Sequence, residues 1–374
     1  MDLQVLIKNI QTLRLNDSDA ALKNIASSEK YLQQAYEGRY LFELIQNVRD
    51  ANKDKEVNSI GSVYIELKEN VLIVSNTGAA FNEKGINSIT TIGDSPKDSQ
   101  EFIGFKGIGF KSVYEISEKP KVVTEWGSIV FDKEATKLLL LNRNFSDREI
   151  PLFFIPHYSS DKLSVADVQN GIVTQIQLPL KQQINIESII KAFEVVGVHQ
   201  LLLLGHLKKI KFSHNDSISE FEITEDKNTG KVKIKKNTDE FNFKHFKPSN
   251  KIAIPKSIID KLEDKEKEIY EKDPFVDISL VFDLDEKGRI LKAEKSKLYL
   301  FYPTEISSGF GFIIHSYFIV NPERKALRNS LLNNFLLESI ADFLSTEWLA
   351  QAKKQHRNSF IDLWFLKEIR KLQF

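Results

Sequence analysis

The chain has 374 residues, of which 41% are hydrophobic and 28% charged, enough to bury two ordinary cores and too apolar to stay disordered. Lys plus Arg and Asp plus Glu both number 52, so no whole-chain field draws it to nucleic acid or to an anionic membrane. The absence of cysteine excludes a disulfide framework, a thiolate zinc site and a cysteine nucleophile, and predicts a reducing, cytoplasmic setting.

The start, MDLQVLIKNIQTLRLND, lacks the pattern of a signal peptide, and no long apolar run follows, so no membrane partner is expected. Tyr36, Tyr40, Leu44, Ile45 and Val48 recur at helical spacing and predict a helix over about residues 20 to 55. Val63, Ile65 and Leu67 then alternate, and Val71 to Val74 form an apolar run after a short turn, which predicts a β-hairpin. A short helix from Glu83, a polar Gly-Asp-Ser-Pro stretch, a glycine-rich loop from Gly104 to Gly109 and a helix from Lys111 come next. Strands near 120–131, 137–141 and 172–178, closed by Pro179, complete an α+β arrangement with helices on one face of a mixed sheet. A long buried helix from Ile186 to Leu207, containing the Leu201 to Leu204 run, is expected to lead into a second α/β domain. That domain has strands near 219–224, 230–236, 276–283 and 297–302 around the charged helix KLEDKEKEIYEKD. In KVKIKK the lysines alternate with apolar residues, as on the wet side of a strand. The end, from Ser330, reads as aromatic-rich helix, and the expected domains are 1–182, 183–330 and 331–374.

Three elements carry chemistry. In ELIQNVRDA, Glu43, Asn47 and Asp50 stand at i, i+4 and i+7 and share a helix face, while Leu44, Ile45 and Val48 point to the core. A carboxylate can polarise water and an amide oxygen is a hard ligand for Mg²⁺, although an ordinary exposed polar face has the same pattern. VSNTGAAF brings Asn76 and Gly78 to the end of a strand, as would a simple turn. In IGFKGIGFKS, Gly104, Gly107 and Gly109 precede a helix, so backbone N–H groups could approach an oxyanion. The spacing is that of neither a Walker A loop nor a Rossmann turn, and close loop packing is the plainer alternative.

In this order, the three elements resemble the GHKL ATPase signature shared by chaperones, DNA gyrase, repair proteins and histidine kinases. TIGDSPKDSQEFIGFKGIGFKSVYEIS is most similar to the sacsin-like branch, which is related to the ninety-kilodalton heat-shock chaperones. The resemblance implies a two-layer GHKL sandwich followed by a transducer or middle-like α/β domain, with ATP and Mg²⁺ as ligands. It implies Glu43 as general base, Asn47 as Mg²⁺ ligand, and Asp50 as support on the nucleotide side of the helix. Asn76 stands where the family has an adenine-binding Asp; Gly78 keeps the backbone close to the base, and Thr174 supports that contact through water. Val173 replaces a usual glycine, and an amide at 76 makes base selection less secure because it can also donate. Gly104, Lys106, Gly107, Ile108, Gly109 and Phe110 would cradle phosphates, and Thr91 to Gln100 would form a lid. LYLFYPTEISSGFGFIIHSYFIVNPERKAL is similar to the sacsin-like second domain, which assigns Arg324 to the γ-phosphate, with Lys325 as its rival.

These resemblances imply a slow ATPase switch that acts on a protein partner, with a homodimer and a bacterial antiviral role among the family's settings. The alternative is a non-hydrolysing ATP-sensing scaffold. A sensor histidine kinase needs an upstream phospho-acceptor, and no histidine precedes His157. His315, on an apolar strand, reads as a hydrogen-bonded core residue.

Overall fold

A computed structural model describes residues 2–35, 38–53, 61–91, 109–194, 196–226, 228–291, 296–321 and 324–355. The described residues form two compact units: those up to Val196 together with Leu204–Phe221 make the first, and Gly197–Leu203 together with those from Glu222 onward make the second. Among the described residues no helix is long and apolar enough to cross a membrane.

In the first unit, Asp2 caps α1 (Leu3–Leu15), whose Leu3, Ile7, Ile10 and Arg14 recur every three or four residues and are buried. The expected single helix is two, α2 (Asp19–Ala35) and α3 (Tyr40–Lys53). Gly38, at φ +76°, lies in a left-handed conformation no helix interior contains, and it interrupts the apolar periodicity. The hairpin forms as expected: β1 (Ser62–Lys68) pairs antiparallel with β2 (Val71–Asn76), burying Val63, Ile65 and Leu67 on one face. Asn82 caps α4 (Glu83–Thr90) by accepting from the Gly85 amide.

Gly109–Glu115 is a 3₁₀ helix rather than an α-helix, and β3 (Lys121–Thr124) and β4 (Gly127–Val130) form a hairpin. The strand expected at 137–141 is instead the end of α5 (Lys133–Leu139). Asp132 caps the amides of Glu134 and Ala135, and the helix-forming Lys-Glu-Ala start outweighs the leucine run. β5 (His157–Ser159), α6 (Val165–Gln169), β6 (Thr174–Pro179) and α7 (Ile186–Glu194) follow. The long helix expected to reach Leu207 is broken, because the chain turns extended at Gly197 before α8 (Val198–Leu201). Leu201 to Leu204 are nevertheless buried. With β7 (Lys209–His214), the strand order is β7-β1-β2-β6-β3-β4-β5; β1 and β7 run parallel and the other pairs antiparallel.

The second unit receives the end of β8 (Ser217–Asp226), then β9 (Lys231–Lys236) and β10 (Asp239–Phe246). In β9, Val232 and Ile234 are buried and the flanking lysines wet, as the alternation predicts. A small ribbon of β11 (Ile252–Ala253) and β12 (Phe275–Val276) encloses α9 (Lys256–Ile259) and the charged α10 (Asp264–Lys272). β13 (Ser279–Leu284), β14 (Lys297–Leu300), β15 (Tyr302–Ser307) and β16 (Ile313–His315) complete the sheet, in the order β8-β9-β10-β13-β16-β14-β15. Ser330 caps α11 (Leu331–Phe343), which continues through a π-turn into α12 (Leu349–Gln355). Trp348 packs beside Phe282 and Phe312 in this unit's core. His315 is buried and its Nδ1 accepts from the Phe301 amide, the core role read from its apolar strand.

Candidate functional site

The residues singled out on α3, at the end of β2, on β6 and at Gly109 come together in the first unit. α3 buries Leu41, Leu44, Ile45 and Val48, leaving Glu43 and Asn47 half-buried on another face. Asp50, one turn further, is buried against Arg49, whose Nη1 donates to its Oδ1 at 3.0 Å.

Gly109 abuts Glu43: a Cβ built on Gly109 would lie 2.0 Å from Glu43 Oε2 and 2.9 Å from its Cδ. The glycine therefore admits the Glu43 carboxylate to the backbone that begins the 3₁₀ helix, where any side chain would displace it. Phe110 turns away, packing its ring against Phe131 and Phe153 at centroid distances of 5.9 and 5.8 Å, so only its backbone faces the site. Gly104, Lys106, Gly107 and Ile108 lie outside the described residues, as do residues 92–100 of the expected lid.

The opposite end is built on strand register. Asn76, the last residue of β2, pairs with Thr174, the first of β6, and its carbonyl accepts from the Val173 amide at 3.0 Å. Asn76 Nδ2 donates to the Thr77 carbonyl at 3.0 Å, leaving the side-chain oxygen as the acceptor. Thr174 Oγ1 is buried and has no hydrogen-bond partner among the described residues. An unmet buried hydroxyl costs stability, and such groups concentrate where a ligand or water completes them. Gly78, at φ +125°, leaves space where a Cβ would meet the Ala51 carbonyl oxygen at 2.8 Å, and the Ala79 amide donates to that same oxygen at 2.7 Å.

Asn52 and Thr77, not singled out from sequence, lock these two halves together. Asn52 Nδ2 donates to the Val48 and Thr77 carbonyls, both at 2.8 Å, and its Oδ1 accepts from the Thr77 hydroxyl at 3.2 Å. The hydroxyl in turn accepts from the Ser62 amide at 2.9 Å. The helix bearing Glu43 and the turn bearing Asn76 are thus tied by one buried side chain; a polar residue closing an otherwise amphipathic helix is the only sequence signal for it.

A second buried polar group lies behind Gly109. The Lys111 ammonium is fully buried, and burial lowers its pKa, with the Glu29 carboxylate opposing the shift and Arg14 adding to it. Burial likewise raises the pKa of Glu29, opposed by the amides of Leu152, Phe153 and Phe154, which donate to it, and by Lys111.

Arg324 belongs to the second unit. Its backbone is left-handed, at φ +58°, and its Nη2 donates to the Leu300 carbonyl at 2.5 Å, while its own carbonyl accepts from Glu305. The guanidinium thereby braces the turn between β14 and β15; Lys325 is exposed.

A segment that carries Glu43, Asn76 and Gly109 on a helix, a hairpin and a 3₁₀ turn matches a known class: residues 20–150 match the Sacsin domain family. Within the curated proteins, the chain is similar to Protein NO VEIN of Arabidopsis thaliana. The two are 31% identical over 107 residues, covering 28% of this chain and 4% of that protein. The sacsin-like match covers residues 20–150, and the chain spans a small fraction of the relative's length.

Proposed function

We propose that the first unit is a GHKL-type nucleotide domain that binds Mg²⁺-ATP and hydrolyses it slowly, as a switch acting on a protein partner. The observation that supports this reading is the seating of Gly109 against Glu43: a carboxylate, the kind of group that polarises water, lies against the glycine that starts the 3₁₀ helix, where backbone N–H groups could meet phosphate. The unmet hydroxyl of Thr174 beside Asn76 and the backbone approach kept by Gly78 supply a second polar locus, and these residues suit the polar edge of a base.

On this reading the Asn76 oxygen accepts the adenine amino group and Thr174 Oγ1 is satisfied through water. Thr77 engages one of the two Nδ2 hydrogens, so Asn76 still offers a donor beside its acceptor oxygen, unlike a carboxylate. Asn47 offers its amide oxygen to Mg²⁺, which when bound neutralises triphosphate charge. Glu43 orients the attacking water and takes its proton. Asn52 and Asp50 keep α3 in register with the Asn76 turn.

The test is calorimetry and phosphate release on the full chain. Mg²⁺-ATP at one hundred times its Kd adds about 2.7 kcal/mol of stability, and AMP adds much less at the same concentration. Glu43→Ala retains ATP binding and loses at least about 10²-fold in turnover, the lower range of general-base catalysis. Absence of ATP binding at millimolar concentration refutes the assignment. Tight binding with no hydrolysis by the unmutated chain selects the ATP-sensing scaffold instead.

A further inference from the structure

Lys111 has no part in the reading above, yet it is among the largest fully buried side chains in the protein. Its neighbours Phe110, Val113 and the Phe153 ring are apolar, so methionine or leucine would suit the volume, and a buried ammonium is costly unless its donors are used. They are used on one target. Nζ donates to the carbonyls of Ile89, at 3.2 Å, and Thr91, at 2.5 Å, while Arg14 Nη1 donates to the intervening Thr90 carbonyl at 3.0 Å. The last carbonyls of α4, which no helix can satisfy internally, are therefore capped by two buried cations. Glu29, anchored on three successive amides of the 152–154 segment, supplies the countercharge. The lysine stands two residues after Gly109 in the same 3₁₀ helix, where Ser112 Oγ also donates to the Gly109 carbonyl at 2.6 Å.

We propose that Lys111 is a positioning residue that fastens the C-terminal turn of α4 to the 3₁₀ turn carrying Gly109, and so holds Gly109 against Glu43. The two turns flank the glycine motif in sequence, and the ammonium bonds two carbonyls at the end of α4 from within the 3₁₀ helix. The functional half of this proposal rests on the nucleotide reading; the structural half does not. Phosphate binding then depends on Lys111 although the ammonium touches no phosphate, whereas the base locus at Asn76 and Thr174, built on β2 and β6, is independent of it.

The experiment compares Lys111→Met and Lys111→Arg with the parent as full chains. Amide hydrogen exchange without nucleotide is read at 89–91 and 109–112, with the β1–β2 amides as the control for global folding. Kd values for Mg²⁺-ATP and AMP are measured in parallel. In Lys111→Met both flanks exchange faster together while the hairpin stays protected, and the preference for ATP over AMP falls by about tenfold, as expected when charge-assisted bonds are lost. Lys111→Arg, which keeps charge and donors, retains most of the preference. Should Lys111→Met expose the hairpin, Glu29→Gln is read in its place and loosens both flanks in the same direction. Unchanged exchange, or loosening of one flank alone, overturns the proposal; so does equal loss of ATP and AMP affinity in a folded variant. A parent chain with no preference for ATP over AMP refutes the nucleotide reading and the functional half with it, leaving the fastening to be decided by exchange alone.

Discussion

Replacing Gly109 by alanine tests the geometry of the Glu43 site more sharply than removing Glu43 itself. The added Cβ would stand 2.0 Å from Glu43 Oε2, and ordinary contact begins near 3.4 Å, so the carboxylate has to withdraw by about 1.4 Å. Little stability is at stake. Gly109 is not left-handed, the atom displaced is the end of a flexible side chain, and alanine reduces the freedom of the unfolded chain by about 0.4–1 kcal/mol. Catalysis is more exacting: a misplacement of about 1 Å costs on the order of 10²-fold, so Gly109→Ala is expected to slow phosphate release by that order. Because the loss acts through the carboxylate, it should vanish in a Glu43→Ala background, where the double variant and Glu43→Ala turn over at the same residual rate. The assay is single-turnover phosphate release from the four proteins at saturating Mg²⁺-ATP, with melting curves recorded alongside. Parental turnover in Gly109→Ala, or a Gly109 effect that persists without Glu43, refutes the argument.

The buried hydroxyl of Thr174 gives an opposite signature: Thr174→Val removes an unmet polar atom, so the nucleotide-free protein should melt at the same or a higher temperature while adenine nucleotides bind more weakly. A stability loss without change in affinity would make the hydroxyl purely structural. At Arg324, the guanidinium's bond to the Leu300 carbonyl predicts that Arg324→Ala costs about 1–3 kcal/mol in urea unfolding, whereas Lys325→Ala, on the surface, is near neutral. For Lys111, burial lowers the pKa from 10.5 to about 8, against the pull of Glu29, so between these values the unfolded chain holds a proton that the folded chain has released. Stability therefore gains a component that rises with pH across that window, and urea midpoints taken at its two ends should lose this component in Lys111→Met.

The partition of α3 was legible because a helix separates faces by spacing alone: Leu44, Ile45 and Val48 went inward and Glu43 and Asn47 elsewhere, as the periodicity requires. The β1–β2 hairpin was legible for the same reason at period two. Local chemistry defeated periodicity in three places. Gly38 divides one apolar pattern into two helices, Asp132 starts α5 ahead of a leucine run that resembles a strand, and Gly197 stops α7 short of its apolar continuation. The proximity of Glu43 and Gly109, and the pairing of Asn76 with Thr174, followed from family resemblance, since nothing in local spacing brings those positions together. Lys111 was passed over for a related reason. A lysine after a glycine motif invites a surface reading, and its partners at Ile89, Thr91 and Glu29 are too distant in the chain for any window to reveal.

The bonds that Thr77 makes to Asn52 and Ser62 also bear on how this protein could be re-engineered. Altering nucleotide preference would begin with randomising the Asn76–Thr77–Gly78 turn, but the Thr77 hydroxyl both donates to Asn52 and accepts from the Ser62 amide. Most substitutions at 77 strand one of those partners and unseat the end of the helix that carries Glu43, so a selection confined to the turn would discard variants for poor folding before their base preference was ever sampled. Libraries that vary position 52 together with 77 keep the two sides matched and leave the turn free to explore.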